Sequence, residues 1–181
     1  ARLQLTGRVE RDRAMMTAEI DVDVNRDQGG DHDVPLRFQQ AHFLKKEYSG
    51  PGREGPVLDV PVEEGIVWRF SGYGTHHLKL TMWVPIKESP AGRQLVLSLP
   101  TMPQGFDAQI DLNIPGAPVV FRGSRELTIL SSSTENQQNR ILADSRGQRL
   151  DLTWSEPPEV QTAFRQVTTS FTLHRDADRV M

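Results

Sequence analysis

Alternation is what limits this chain most. Apolar and polar residues trade places with a period of two along most of its length, which is the spacing of a half-buried β-strand and not of an amphipathic helix. Ala108, Ile110, Leu112 and Ile114 alternate with Gln109, Asp111 and Asn113. Leu78, Leu80, Met82, Val84 and Ile86 do the same over a longer run, and so do Ala14, Met16, Ala18, Ile20, Val22 and Val24 against Thr17, Glu19, Asp21 and Asp23. Shorter runs near Leu3, Val34, Val57, Ile66, Leu95, Phe121, Leu127, Ile141, Leu150 and Val167 are bounded by Gly, Pro and other turn formers. Together they predict roughly a dozen strands and no helix of the usual ~11 residues. The expected fold is all-β, an antiparallel two-sheet β-sandwich with little or no helix. It is read as a single domain over residues 1–181. A last strand, at about 160–175, either belongs to that domain or leads into a further module.

The run 66–86, IVWRFSGYGTHHLKLTMWVPI, reads as a hairpin closed by Gly72-Tyr73-Gly74, whose glycines tolerate positive φ where the chain reverses. Residues 41–48 read equally well as a strand or as a single helical turn. The segment 131–139, SSSTENQQN, has no periodicity and reads as a solvated loop. Residues 141–143 and 150–154 read as a hairpin closed by 145–148.

Composition removes several function classes. Without cysteine there is no disulfide, no thiolate zinc site and no cysteine nucleophile. A net charge of −3 offers no basic footprint for nucleic acid and no polybasic patch for a membrane surface. No apolar run reaches the ~20 residues of a membrane span, so no direct membrane insertion is expected. No signal segment opens the chain, whose first residues already read as a strand, so it reads as a mature or excised piece.

Catalytic motifs are missing. His76 and His77 are neighbours on a strand and leave it on opposite faces, so they cannot chelate one metal together, and no HExxH spacing occurs. His76 shares the phase of Leu78 and reads as a hydrogen-bonded structural residue. Gly123-Ser124 lacks the G-x-S-x-G elbow, and the glycine-rich 49–56 lacks the Lys-Ser/Thr of a phosphate loop. No catalytic residue is assigned. Dispersed carboxylates that converge in space leave no mark in sequence, so a polysaccharide hydrolase stays open as a third reading.

Binding residues are easier to nominate. Trp83 is out of phase with Met82 and Val84, which puts it outward with His77, and Tyr73 sits at the turn. Exposed aromatics of this kind stack on sugars or on protein partners. Asn25, Asp27, Asp31 and Asp33 flank Gly29-Gly30 and supply the hard oxygen donors that calcium prefers, although the EF-hand spacing is absent. The alternative is ordinary turn chemistry. No cofactor is required by any motif; calcium is the one candidate.

Gly72, Gly74, His76, Val84-Pro85 and the segment from Leu97 to Pro100 form a rhythm of G-x-G-x-H turn, VP-ended strand and L-x-L-P segment. In this rhythm the chain resembles uncharacterised all-β modules of large envelope-associated proteins in planctomycete-type bacteria. The resemblance implies an extracytoplasmic setting, periplasm or cell surface, in a multidomain protein. The leading expectation is therefore a non-catalytic structural or protein-interaction module whose partners are other protein modules or envelope glycans. A calcium-assisted carbohydrate-binding module is the alternative.

Overall fold

The structure, a computed structural model, describes residues 1–25, 30–52, 55–56, 65–100 and 108–158. Among these residues it is all-β, without helix: β1 (Arg2–Glu10), β2 (Arg13–Val24), β3 (Asp31–Arg37), β4 (His42–Ser49), β5 (Gly55–Pro56), β6 (Ile66–Ser71), β7 (Gly74–Ser89), β8 (Gly92–Ser98), β9 (Ala108–Pro115), β10 (Val120–Gly123), β11 (Leu127–Glu135), β12 (Gln138–Ser145) and β13 (Arg149–Ser155). The strands expected at 57–62 and 167–173 lie outside the described residues.

The two-sheet sandwich needs correcting. Ten strands form one sheet, ordered β10-β13-β8-β7-β2-β1-β9-β12-β11 with β4 added beside β7, and only β3, β6 and β5 form a second, small sheet. The two ends of the large sheet, β10 and β11, touch where residues 124–126 connect them. The sheet thus curls toward a barrel around its apolar face, as strand twist accumulated over ten strands requires. Nor is it wholly antiparallel: β1 and β9 run parallel, Leu3 opposite Ala108 and Leu5 opposite Ile110. Period-two patterning says which face is dry, but not what covers it or which way a neighbour runs.

The run 66–86 is not a hairpin. β6 pairs with β3 and β5 in the small sheet, whereas β7 pairs with β2 over twelve positions, from Arg13 opposite Pro85 to Val24 opposite Gly74. Gly72 and Gly74, at φ of 91° and 126°, turn a corner that passes the chain from one sheet to the other. A Cβ on Gly72 would lie 2.6 Å from the Pro51 carbonyl oxygen, so the corner needs glycine for space as well as for φ.

Two more expectations change. Residues 131–139 are mostly strand: β11 and β12 form a hairpin whose turn residues Asn136 and Gln137 both have positive φ, 50° and 57°. β12 and β13 do not pair; β12 lies between β9 and β11, and β13 between β8 and β10. Residues 42–49 are strand β4, bulged at Leu44.

One apolar cluster unites both sheets. Leu5, Met16, Leu80, Leu97, Leu112, Ile141 and Leu152 of the large sheet share it with Leu36, Phe38, Trp68 and Phe70 of the small sheet and its exit. Arg37 and Phe38 leave β3 at φ of 58° and 43°, a left-handed geometry that costs roughly 1–2 kcal/mol per non-glycine residue. The surroundings hold it there. Phe38 is buried, its N–H donates to the Ser98 carbonyl at 3.1 Å, and Arg37 reaches Gln148 at 2.9 Å.

His76 is wholly buried at the junction of the sheets. The Tyr48 hydroxyl lies 2.8 Å from its Nδ1 and the Gly72 carbonyl 3.1 Å from its Nε2. A carbonyl can only accept, so Nε2 carries the proton and Nδ1 accepts from tyrosine. The structural reading of His76 is the one seen. Tyr48→Phe removes the hydroxyl from which this buried nitrogen accepts, and chemical denaturation is expected to show a loss of about 1–2 kcal/mol.

Candidate functional site

The outward face of β4, β7, β2 and β1 is a continuous polar surface. On it the strand registers build rows of cross-strand neighbours, the contact unit of a sheet face. One row is Ser49, His77, Asp21 and Arg2; the next is Glu47, Lys79, Glu19 and Gln4; then Lys45, Thr81, Thr17 and Thr6; then His42, Trp83, Met15 and Arg8. Every inward residue between them, from Leu78 through Val84, is apolar and buried, which is why these side chains have no other direction to take.

Short contacts tie the rows. His77 Nδ1 donates to Asp21 at 2.6 Å and Lys79 Nζ to Glu19 at 2.9 Å, with Lys45 2.9 Å from Glu47 on the same strand. Hydrogen bonding from Lys45 and the charges of Lys45 and Lys79 hold the Glu47 carboxyl below its usual value, and Glu19 raises Lys79. A shallow depression of about 360 Å³ opens here, lined by Glu19, Asp21, Glu47, Ser49, His77 and Lys79 among others. Two pairs of its walls, His77 with Asp21 and Lys79 with Glu19, are already joined, and Glu47 is held by Lys45 beside it. Chemically it is a mixed-charge surface suited to polar contact.

The nominated binding residues do not form one site. His77 and Trp83 share the outward face of β7 but are six residues apart, roughly 20 Å at strand rise. Tyr73 stands at the corner between the sheets, half exposed at 50%. Trp83 is half-buried because the His42 ring stacks on it, centroids 3.9 Å apart and planes 11° from parallel. That cover comes from β4, whose strand character the sequence left open, so His42 was not nominated.

The acidic residues are also spread. Asn25 follows β2 and is exposed, and Asp27 lies outside the described residues. Asp31 and Asp33 belong to β3 and look across to β6: Ser71 donates to Asp31 at 2.7 Å, and Arg69 holds Asp33 through Nε and Nη2, both at 2.7 Å. Among the described residues no three His, Asp or Glu side chains are arranged to hold a metal ion.

The hydrogen bond and charge of Arg69 hold the Asp33 carboxyl below its ordinary value. A depressed carboxyl contributes stability above its unfolded pKa and loses it as pH falls through the folded one. Both side chains are over 40% exposed, 44% and 42%, so solvent screening limits the pair. Asp33→Asn is expected to cost about 0.5–1 kcal/mol at neutral pH, and urea titrations should show the difference from wild type shrinking on acidification.

The residue that sequence reasoning missed most completely is Asn139. It is wholly buried, donates to the carbonyls of Ile114 and Ala117 at 3.2 and 2.9 Å, and accepts from Thr134 at 2.7 Å and from the Val119 N–H at 3.3 Å. It fastens the connection after β9 to the β11–β12 hairpin. The turn-forming Asn-Gln at 136–137 was the available signal, since a two-residue turn there makes the flanking residues strand.

The chain matches no family model and no curated protein sequence. A solved structure shares its fold. A mutant M1 zinc metallopeptidase from Deinococcus radiodurans, bound to a Tyr-Ser-Ala substrate, superposes with a TM-score of 0.50 at 12% identity, covering 84% of this chain and 41% of that one. The M1 zinc metallopeptidase from Deinococcus radiodurans without that substrate gives a TM-score of 0.48 at 11% identity, with the same coverage. The first likeness is one of fold, and this chain spans about two-fifths of the chains it matches.

Proposed function

We propose that this chain is a non-catalytic structural or protein-interaction module of a larger extracytoplasmic protein. The observation that carries the reading is coverage: a body of this fold accounts for most of this chain and for only 41% of a longer one. The same arrangement of strands thus serves as one part of a bigger molecule. The outward face supports the reading, because its charged side chains are paired with each other in rows and leave a stiff, polar surface of the kind that lies against other modules. Envelope proteins are the setting that the 72–100 motif points to, and neighbouring modules or envelope glycans are the partners.

Two measurements test it. Purified chain supplied with zinc is expected to leave aminoacyl-coumarin substrates and Tyr-Ser-Ala uncleaved; chelator-sensitive hydrolysis would contradict a non-catalytic role. In the full-length native protein, lysine cross-linking is expected to join Lys45, Lys46 or Lys79 to residues outside this chain. Cross-links confined to residues within it would contradict the interaction role.

A further inference from the structure

The curled sheet has a mouth. At one end the β7–β8 turn, the end of β9, the start of β10 and the end of β13 surround a pocket of about 730 Å³, within the size range of small-ligand sites, and barrel mouths commonly hold such sites. Trp154, Ile114 and Val119 give it apolar walls, and Arg93, Arg122 and Glu156 give it charge.

Two arginines of the described residues, Arg37 and Arg93, hold a buried Nε without a hydrogen-bond partner, and Arg93 is the one on this pocket. Its guanidinium carbon lies 5.8 Å from the centroid of the Trp154 ring, and its Nε is buried with no hydrogen-bond partner. Elsewhere among the described residues the same edge of an arginine, Nε with Nη2, holds a carboxylate twice. Arg69 grips Asp33 at 2.7 and 2.7 Å, and Arg140 grips Asp111 at 2.9 and 2.6 Å. Arg122, on the same pocket, has no carboxylate partner among the described residues. A guanidinium over an indole, with an unpaired Nε, on a pocket that a second arginine also lines, offers donors suited to a carboxylate.

We propose that this mouth is a binding site for a carboxylate, which turns Arg93 on the Trp154 face and pairs its Nε edge while Arg122 supplies the second charge. The carboxylate belongs either to a small organic acid or to an acidic side chain of a peptide segment. The pocket goes beyond the module reading and does not depend on it, since the cross-linking and hydrolysis tests leave the mouth unprobed.

The test is an NMR titration of the whole chain with glutarate, with acetyl-Gly-Glu-Gly-amide and with the glutamine counterpart of that peptide. The Arg93 Nε–H and Trp154 indole resonances are expected to shift with the carboxylate ligands and not with the glutamine peptide. Binding of glutarate alone assigns a small acid; binding of the glutamate peptide assigns a protein segment. Arg93→Gln is expected to weaken binding by about tenfold or more, Arg93→Lys to fail to restore it, and Arg122→Gln to weaken it by roughly threefold. No shift with either carboxylate, or equal shifts with the glutamine peptide, would overturn the proposal. Should Arg93→Gln not fold, the wild-type shifts and Arg122→Gln decide.

Discussion

Replacing Asn139 with leucine is expected to lower the unfolding free energy by about 3 kcal/mol, one of the largest losses available from a single polar residue here. The leucine fits a similar volume, but the carbonyls of Ile114 and Ala117 lose their donor, and the Thr134 hydroxyl and Val119 N–H lose their acceptor. Only the bond to Ile114 is fully buried, and the other three groups regain water in part, so the loss stays near the top of the about 1–3 kcal/mol of one unpaired buried group. In a chain of this size the thermal midpoint should fall by about 10 °C. Asn139→Asp separates hydrogen bonding from packing. Its carboxylate still accepts from Thr134 and Val119 but faces carbonyl oxygens with nothing to donate, so burial raises its pKa above the unfolded value. Its destabilisation is present at neutral pH and shrinks as the pH falls through that raised value. A change below 1 kcal/mol for Asn139→Leu, or an Asn139→Asp variant indifferent to pH, would show that the joint between the connection after β9 and the β11–β12 hairpin does not rest on this residue.

The second large effect is at Phe70. Its ring is wholly buried in the small sheet and meets the His76 imidazole of the large sheet edge-on, centroids 5.4 Å apart. Phe70→Ala removes the filling between the sheets and is expected to cost about 3–5 kcal/mol. Trp68, two residues away and also buried, should then emit at longer wavelength as the small sheet loosens. Unchanged emission with a loss below 1 kcal/mol would mean that the small sheet does not lean on the large one through this ring.

The inward phase of the long strands was legible because each lies with one face on the core. Ala14 through Val24, Leu78 through Ile86 and Ala108 through Ile114 are buried at the alternate positions that the pattern marks. Partner choice was not legible. Ile66 through Phe70 alternates in the same way whether β6 folds back on β7 or joins β3, and the glycines at 72 and 74 permit both a hairpin and a corner. Only the start of β11, at Leu127 and Ile129, was legible, because it is the last strand of its sheet: past these two its residues face solvent on both sides and carry no apolar rhythm. The nominated surface shows the same divide. Outward phase placed His77 and Trp83 correctly on one face, but the stack of His42 on Trp83, the His77–Asp21 pair and the meeting of Arg93 with Trp154 are cross-strand contacts that exist only once register is known.

The claim that this chain is one self-contained module is tested most directly by calorimetric unfolding of residues 1–181, followed in parallel by the fluorescence of Trp68 in the small sheet and Trp154 in the large one, each probed in a variant with the other tryptophans replaced by Phe. The account predicts a single endotherm with equal calorimetric and van't Hoff enthalpies and one shared midpoint for both tryptophans. Two endotherms, or a Trp68 transition well below that of Trp154, would contradict it.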